Sequence, residues 1–156
     1  MRPYWIDSHD VRLGIAARPR GGDWLEDECR SLSRDGVEVL VSCLEPDEVA
    51  ELQLVEEPSF AAAAGLEFIG FPLPDRGVPG DQAAFRALID RLEALARAGR
   101  RIVIHCRMGI GRSSLVAAAI LVRFGVSLAD AFERLTACRG FSVPDTAEQR
   151  AWLETR

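Results

Sequence analysis

The sequence predicts an α/β domain with a central, mostly parallel sheet flanked by helices. Short runs of β-branched and apolar residues at 37–44 and 101–105 are typical of strands buried on both faces, as in parallel sheets. These runs alternate with amphipathic helical patterns, of which residues 81–98 are the clearest example. The length of 156 residues is that of one domain, so we expect a single domain over residues 1–156.

The patterns predict, in chain order, a helix over 23–35, a strand over 37–44, an acidic helix and loop over 45–57, a strand over 66–71, an irregular loop over 72–80, a helix over 81–98, a strand over 101–105 and helices over 112–124, 127–138 and 144–153. Asp23 and Glu26 have the spacing of a capping box, and Gly36 can end that helix. The acidic residues of 45–57 indicate a solvated, charged surface.

Local sequence signals also predict the elements in the second half of the chain. The segment 72–80 contains three prolines and two glycines, which exclude regular structure. Asp81 opens the next helix and Gly99 ends it. The helix over 112–124 is apolar on nearly all sides, so we expect it to be buried.

Composition excludes several functional classes. The net charge is −5, which argues against nucleic acids and anionic membranes as partners. The longest apolar run, 115–122, is too short to span a bilayer, and the N-terminal segment lacks the apolar core of a signal peptide. Four scattered cysteines indicate free thiols, and two histidines make a His-rich metal site improbable. We therefore expect a cytoplasmic, monomeric protein without a bound metal.

The stretch His105-Cys106-Arg-Met-Gly109-Ile-Gly111-Arg112-Ser113 is the chemically informative motif. It places an arginine six residues after a cysteine, between a predicted buried strand and a predicted buried helix. The other three cysteines have no arginine at that spacing; the residues found there are Asp35, Val49 and Pro144. The structural context, more than the spacing alone, indicates a functional site.

The physical chemistry of this motif favours phosphate binding. A glycine-rich turn from strand to helix can direct several backbone N–H groups at one anion, and the helix N-terminus adds positive charge. A cysteine at the start of such a loop is a candidate nucleophile because its thiolate is stabilised there. Arg112 can donate to two phosphate oxygens at once, and Ser113 can donate to the sulfur when a phosphocysteine is hydrolysed.

These residues resemble the His-Cys-x5-Arg-Ser/Thr signature of the cysteine-dependent protein tyrosine phosphatases. The short chain and the helix after the motif resemble the dual-specificity branch, in particular cyclin-dependent-kinase-associated phosphatase and its bacterial relatives. The resemblance implies a phosphoprotein phosphatase that hydrolyses phosphotyrosine, and also phosphoserine or phosphothreonine, through a phosphocysteine intermediate. It implies no metal or organic cofactor and a loop that also takes phosphate, sulfate or vanadate. The loop residues it assigns are His105, Arg107, Met108, Gly109, Ile110, Gly111 and Arg112, with His105 holding the loop by hydrogen bonds.

The same family places a general acid on a loop about 30 residues before the cysteine, and Asp75 lies 31 residues before Cys106. Asp75 is accordingly interpreted as the acid, with a turn residue as the alternative. Its glycine neighbours Gly77 and Gly80 could serve as hinges. Arg76 is either a substrate-orienting residue or a solvated one.

Two further residues have open interpretations. Gln149 resembles a glutamine that positions the hydrolytic water in some relatives, or is a helix surface residue. Cys43 ends a predicted strand at the sheet edge where Cys106 lies, and some relatives carry a cysteine there that forms a reversible disulfide with the nucleophile. The alternative for Cys43 is a buried thiol without a redox role.

Two other functions use parts of the same pattern. A rhodanese-like sulfurtransferase also has a cysteine in a strand–loop–helix cradle, but Asp75 and the Gly-x-Gly-Arg-Ser ending of the motif fit it poorly. A phospho-binding module without catalysis is the second alternative, and the complete set of Cys106, Arg112, Ser113 and Asp75 argues against it.

Overall fold

A five-stranded sheet forms the centre of the computed structural model, which describes residues 1–155. The strands are β1 (Tyr4–Trp5), β2 (Leu13–Ala16), β3 (Val39–Ser42), β4 (Glu67–Gly70) and β5 (Ile102–His105). The helices are α1 (Leu25–Arg34), α2 (Pro46–Glu51), α3 (Glu57–Ala63), α4 (Gln82–Arg97), α5 (Arg112–Arg123), α6 (Leu128–Arg139) and α7 (Ala147–Glu154). A short 3-10 turn, Gly22–Trp24, precedes α1.

The strands lie in the order β1-β2-β5-β3-β4. All neighbours are parallel except β1, which runs antiparallel to β2 at one edge. This topology confirms the predicted α/β class with a mostly parallel sheet. In the register of the sheet, His105 at the end of β5 lies between Ala16 of β2 and Ser42 of β3. The segments that leave these three strands therefore meet at one edge, where α/β proteins bind ligands.

Helices cover both faces of the sheet. One face packs against α4, α5 and α6, and the buried side chains of α5 include Leu115, Val116 and Ile120. The other face packs against α1 and α3 through residues such as Leu25, Leu32 and Ala61. Strands β2, β3 and β5 are buried along their whole length, as their apolar sequences require. None of the helices within residues 1–155 is long and apolar enough to cross a bilayer.

Several predicted boundaries are wrong for identifiable reasons. Asp23 does not cap the first helix, because Gly22–Trp24 forms a 3-10 turn and α1 begins at Leu25 without a side-chain cap. The last helix begins at Ala147, three residues later than expected, where Thr146 accepts a hydrogen bond from the Gln149 backbone N–H. The remaining helix and strand predictions agree with the structure to within a few residues.

Three elements were not predicted from the sequence: β1, β2 and α3. Strand β2 contains a glycine and only one β-branched residue, so its sequence does not indicate a strand by pattern. The expectation of a solvated surface over 45–57 is also wrong for two of its residues. Glu48 is 8% exposed and Glu57 is 1% exposed. Both carboxylates are buried because each pairs with a cationic or imidazole group of the site described next.

Candidate active site

A tight loop, Cys106–Gly111, connects β5 to α5 and forms the centre of the site. Gly109 has a φ of +70°, and a Cβ on it would lie 2.5 Å from the carbonyl carbon of Ala16. Only glycine fits at this point, because the loop presses against the end of β2. A Cβ on Gly111 would likewise approach the Cβ of Asp145 to 2.9 Å. The two glycines let the loop curl in front of the N-terminus of α5, the arrangement that binds anions.

Cys106 lies at the start of this loop and is 3% exposed. Its Sγ is 3.3 Å from the Oγ of Ser113, on the first turn of α5. When the sulfur is a thiolate, the Ser113 hydroxyl is the donor across this distance. The structure therefore places the Ser113 hydroxyl within hydrogen-bonding distance of the Cys106 sulfur, as the role expected for Ser113 requires.

Arg112 is the largest fully buried side chain of the described residues, at 2% exposure. Its Nη1 donates to Glu48 Oε1 at 2.6 Å and to the Leu73 carbonyl at 3.1 Å, and its Nη2 donates to Glu48 Oε2 at 3.0 Å. Burial alone would lower the pKa of Arg112, but the hydrogen bonds with Glu48 and the negative charges of Cys106, Glu48 and Asp75 together outweigh burial and raise that pKa above its usual value. The guanidinium is thus held fully charged and in one orientation.

Asp75 projects from the irregular loop between β4 and α4, as expected, and its side chain is 58% exposed. Its Oδ1 lies 3.2 Å from Nη2 of Arg112. The proposed acid and the proposed phosphate-binding arginine therefore contact each other directly. Arg76 has a φ of +58°, which turns the chain sharply after Asp75.

The Asp75 loop is tied to the segment before α7 by two contacts. Gln149 donates from Nε2 to the Gly77 carbonyl at 3.0 Å, and Arg76 Nη1 lies 3.5 Å from Asp145 Oδ1. Gln149 is completely buried, so the interpretation as a helix surface residue is wrong. Arg76 has a partner, although its side chain remains 65% exposed.

His105 and Glu57 form a buried pair beneath the loop. His105 Nε2 lies 2.6 Å from Glu57 Oε2, and its Nδ1 lies 3.4 Å from the carbonyl oxygen of Cys106. The position of His105 agrees with the loop-holding role that the resemblance implies. Glu57 was missed because it lies in an acidic run, and nothing in its local pattern distinguishes it from solvated neighbours.

The outer part of the loop is held by groups that the motif does not contain. Arg139 on α6 donates from Nε to the Gly109 carbonyl at 3.1 Å and from Nη2 to the Met108 carbonyl at 3.0 Å. Arg107 pairs with Glu51 at 3.4 Å on the surface of α2. Ile110 is half-buried, whereas Met108 is 60% exposed at the rim. Contacts from α2 and α6 therefore hold the loop in place, in addition to its direct connection to α5.

Cys43 lies fully buried at the end of β3, and its backbone N–H donates to the His105 carbonyl at 2.9 Å. Burial and the charge of Cys106 raise the pKa of the Cys43 thiol. All four cysteines are free thiols. Within residues 1–155, no group of three or more His, Cys, Asp or Glu side chains is arranged to hold a metal ion.

A family model described as a polymorphic toxin system, DSP-PTPase phosphatase, matches residues 14–126, well over half of the chain. The chain belongs to this DSP-PTPase phosphatase family. The matched range runs from β2 to the end of α5 and includes Asp75, Cys106 and Arg112. The family resemblance drawn from the motif is thereby confirmed.

The chain also shares sequence similarity with curated proteins. The chain is 37% identical over 84 residues to cyclin-dependent kinase inhibitor 3 of Sus scrofa, covering 53% of this chain and 39% of that protein. It is 30% identical over 80 residues to human dual specificity protein phosphatase 1, covering 51% and 22%. The aligned region thus spans well under half the length of these curated relatives.

Solved structures match over nearly the whole chain. A kinase associated phosphatase, crystallised with its catalytic cysteine replaced by serine, has a TM-score of 0.88 at 22% identity and covers 98% of this chain and 92% of that one. The active form of Tk-PTP has a TM-score of 0.80 at 25% identity, with coverages of 98% and 94%. These likenesses confirm the predicted phosphatase-like fold.

Proposed function

We propose that the protein is a phosphoprotein phosphatase that hydrolyses phosphotyrosine and phosphoserine/threonine monoesters through a phosphocysteine intermediate. The observation that carries the proposal is the convergence of Cys106, Ser113, Arg112 and Asp75 at one sheet edge. Family membership supports the same reaction class.

Substrate binding uses the loop amides and Arg112. Glu48 and the Leu73 carbonyl occupy Nη1 and one N–H of Nη2. Nη2 also lies 3.2 Å from Asp75 Oδ1, and Nε makes no hydrogen bond with residues 1–155. The neighbouring N–H groups of Nε and Nη2 form a fork that can take two oxygens of a phosphate. The incoming dianion would thus displace Asp75 from the arginine.

The first chemical step is an in-line attack of the Cys106 thiolate on phosphorus. The S–P bond forms as the bond from phosphorus to the leaving oxygen breaks. Protonated Asp75 transfers its proton to that oxygen, so a neutral alcohol or phenol departs. Arg112 and the loop amides stabilise the charge on the equatorial oxygens.

The second step hydrolyses the phosphocysteine. Water attacks phosphorus, the S–P bond breaks, and the Asp75 carboxylate accepts a proton from the water. Ser113 donates a hydrogen bond to the departing thiolate. Gln149, beside Gly111, is within the same region and is proposed either to orient this water or to hold the Asp75 loop. None of these steps requires a metal or an organic cofactor.

The decisive test is turnover of p-nitrophenyl phosphate and of matched phosphotyrosine, phosphothreonine and inositol phosphate substrates. We expect hydrolysis of the phosphopeptides, inhibition by vanadate and complete loss of activity in Cys106→Ser. Full activity in that variant would refute the mechanism. Sulfur transfer from thiosulfate without phosphate release would indicate the sulfurtransferase. Tight phosphopeptide binding without turnover would indicate the binding module.

The proposal also includes the setting of the enzyme: one domain over 1–156, a monomer, and a cytoplasmic location. The four scattered cysteines, with no Cys-x-x-Cys pair, support a reducing compartment. Light scattering at several concentrations would test the monomer, and fractionation of the native cell would test the location.

A redox role for Cys43 is a separate part of the proposal. Its place beside the β5 end supports a reversible Cys43–Cys106 disulfide, with peroxide as the oxidant and water as its reduced product. Because burial raises the pKa of Cys43, we expect the disulfide to form faster as the pH rises. Mass spectrometry after mild peroxide tests this; Cys106 sulfinic acid without any 43–106 disulfide would contradict it.

A further inference from the structure

The buried pair of His105 and Glu57 is not used in the catalytic steps above. His105 is fully buried and ends β5, while Glu57 is 1% exposed and begins α3. The 2.6 Å distance between Nε2 and Oε2 is that of a charge-assisted hydrogen bond. A carboxylate this deeply buried is costly unless a proton donor compensates it.

Both ring nitrogens of His105 face oxygen acceptors. Nε2 faces the Glu57 carboxylate, and Nδ1 faces the Cys106 carbonyl at 3.4 Å. A carbonyl oxygen cannot donate, so a hydrogen bond there requires a proton on Nδ1. A neutral imidazole has one N–H and can donate to only one of the two oxygens, so the other contact would then need a proton on Glu57. The doubly protonated ring donates to both oxygens and leaves Glu57 as a carboxylate.

Cys29, which also lies near Glu57, supplies no positive charge to balance the Glu57 carboxylate. Burial and the carboxylates of Glu57 and Glu28 raise the pKa of Cys29, on α1, to about 12, so this thiol stays neutral. Within residues 1–155, His105 is the ion-pair partner of Glu57. An imidazolium at His105 would balance a Glu57 carboxylate beneath the phosphate loop.

Two contacts made by His105, one through its backbone and one through its ring, involve the peptide groups around the nucleophile. The His105 carbonyl accepts the Cys43 N–H at 2.9 Å, which fixes the peptide before Cys106. The Nδ1–H of His105 would fix the Cys106 carbonyl, which belongs to the peptide after it. Cys106 is thus restrained from both sides at the point where the chain leaves the strand.

We propose that Glu57 is a positioning residue for the nucleophile: its carboxylate keeps His105 doubly protonated, so that Nδ1–H holds the Cys106 carbonyl and orients the Cys106 thiolate. This inference rests on the proposed phosphatase function and adds to it a residue outside the signature. Glu57 acts through His105 and does not touch the substrate.

The protonation of His105 can be observed directly. His9, the other histidine of the chain, is exposed, so His9→Gln leaves His105 as the single histidine. In the ¹⁵N-labelled His9→Gln protein at pH 7.0, we expect both ring nitrogens of His105 to show protonated-type shifts and Nε2–H to give a low-field proton signal. A ring with one unprotonated nitrogen would overturn the proposal.

The kinetic test compares Glu57→Gln with a matched control. Glu28→Gln removes an equally buried carboxylate, 3% exposed, that pairs with Arg20 and lies outside the site. Glu57→Gln keeps an oxygen acceptor for Nε2 but removes the charge. We expect about a tenfold fall in kcat for p-nitrophenyl phosphate and in the rate of Cys106 alkylation by iodoacetamide at pH 6.5, the scale of one charged hydrogen bond. Glu28→Gln should leave both rates unchanged.

The outcomes separate this inference from the proposed function. An active parent with unchanged kcat and alkylation in Glu57→Gln would overturn the role of Glu57 and leave the phosphatase mechanism intact. A parent without phosphatase activity would remove the mechanism, and the NMR result would still report the protonation of His105. If Glu57→Gln does not fold, the NMR measurement on the His9→Gln protein decides the proposal alone.

Discussion

Arg112 contacts two carboxylates with different accessibilities. Glu48 is buried and binds the guanidinium through both oxygens, whereas Asp75 is 58% exposed and makes one contact. Glu48 is therefore a permanent support, and Asp75 is the partner that a phosphate can replace. In the proposed mechanism, Asp75 therefore competes with the substrate phosphate for Arg112.

Replacing Asp75 by Asn tests two proposed roles of this carboxyl group, proton donation to the leaving oxygen and competition with phosphate for Arg112. We expect kcat for phosphopeptides to fall at least about 100-fold, because the leaving oxygen loses its proton donor. Inorganic phosphate should inhibit more strongly, because an amide competes less well for Arg112 than a carboxylate. Steady-state kinetics with phosphate as a competitive inhibitor measures both. Asp47→Asn, at an exposed site on α2, is the control; equal phosphate affinity in Asp75→Asn and wild type would contradict the competition.

At the scale of elements, the Asp75 loop depends on the segment before α7. The contact from Gln149 to the Gly77 carbonyl joins two segments 72 residues apart in sequence. This contact supports the proposal that Gln149 holds the acid loop rather than orienting the hydrolytic water.

Leaving-group dependence distinguishes the two roles of Gln149. If Gln149 holds the acid loop, Gln149→Ala should reduce kcat/KM for a phosphothreonine peptide about tenfold or more and for p-nitrophenyl phosphate much less, because p-nitrophenolate leaves without a proton. If it only orients the hydrolytic water, kcat/KM should be unchanged for both substrates and only kcat should fall, because kcat/KM covers the steps up to formation of the phosphocysteine. We expect the first pattern, and an unchanged kcat/KM for the phosphothreonine peptide would contradict it.

The close approach of the phosphate loop to β2 is a second contact between elements. Gly109→Ala puts a side chain at positive φ and against the Ala16 carbonyl. We expect loop displacement, a loss of activity of about 100-fold or more and a lower Tm. Gly125→Ala is the matched control: its φ is +88°, but a Cβ there meets nothing within 4 Å. It should cost about 1 kcal/mol of stability and leave activity unchanged.

At the scale of the whole molecule, acid stability depends on the buried carboxylates. Burial would raise the pKa of Glu48, but the hydrogen bonds from Arg112 and the Glu45 backbone, together with the charges of Arg112 and Arg107, outweigh burial and lower that pKa below 4.5. A depressed folded-state pKa contributes stability above the unfolded value of 4.5, and this contribution is lost as the pH falls through the folded value. The stability of the native protein should therefore decline below about pH 4.5.

The variant Glu48→Gln tests this pH dependence when its free energy of unfolding is compared with that of the wild type at each pH. We expect a loss of about 3 kcal/mol at pH 7, because Arg112 keeps its buried charge without a partner. The difference from wild type should shrink toward pH 3, as the native Glu48 becomes protonated. Urea unfolding at pH 7, 5, 4 and 3 measures it, with the exposed-site variant Asp47→Asn as the control. A difference that is constant with pH would contradict the assignment.

The parts of the molecule that the sequence predicted are those with strong local signals. The strand β5, the glycine-rich loop and the apolar helix α5 are consecutive, so the pattern of one stretch indicated fold and chemistry together. Strand β2 and the carboxylates Glu48 and Glu57 could not be found this way. Their burial depends on partners about 50 to 90 residues away in sequence, which no local pattern records.

The crossover between β3 and β4 carries both of these carboxylates, Glu48 on α2 and Glu57 on α3. They reach the phosphate loop from beneath, one through Arg112 and the other through His105. A homologue could therefore retain every residue of the Cys-x5-Arg signature and still lose catalysis through changes in this crossover alone. Distinguishing active enzymes from inactive copies in such a family therefore requires checking two glutamates that lie 48 and 64 residues upstream of the signature residues they contact.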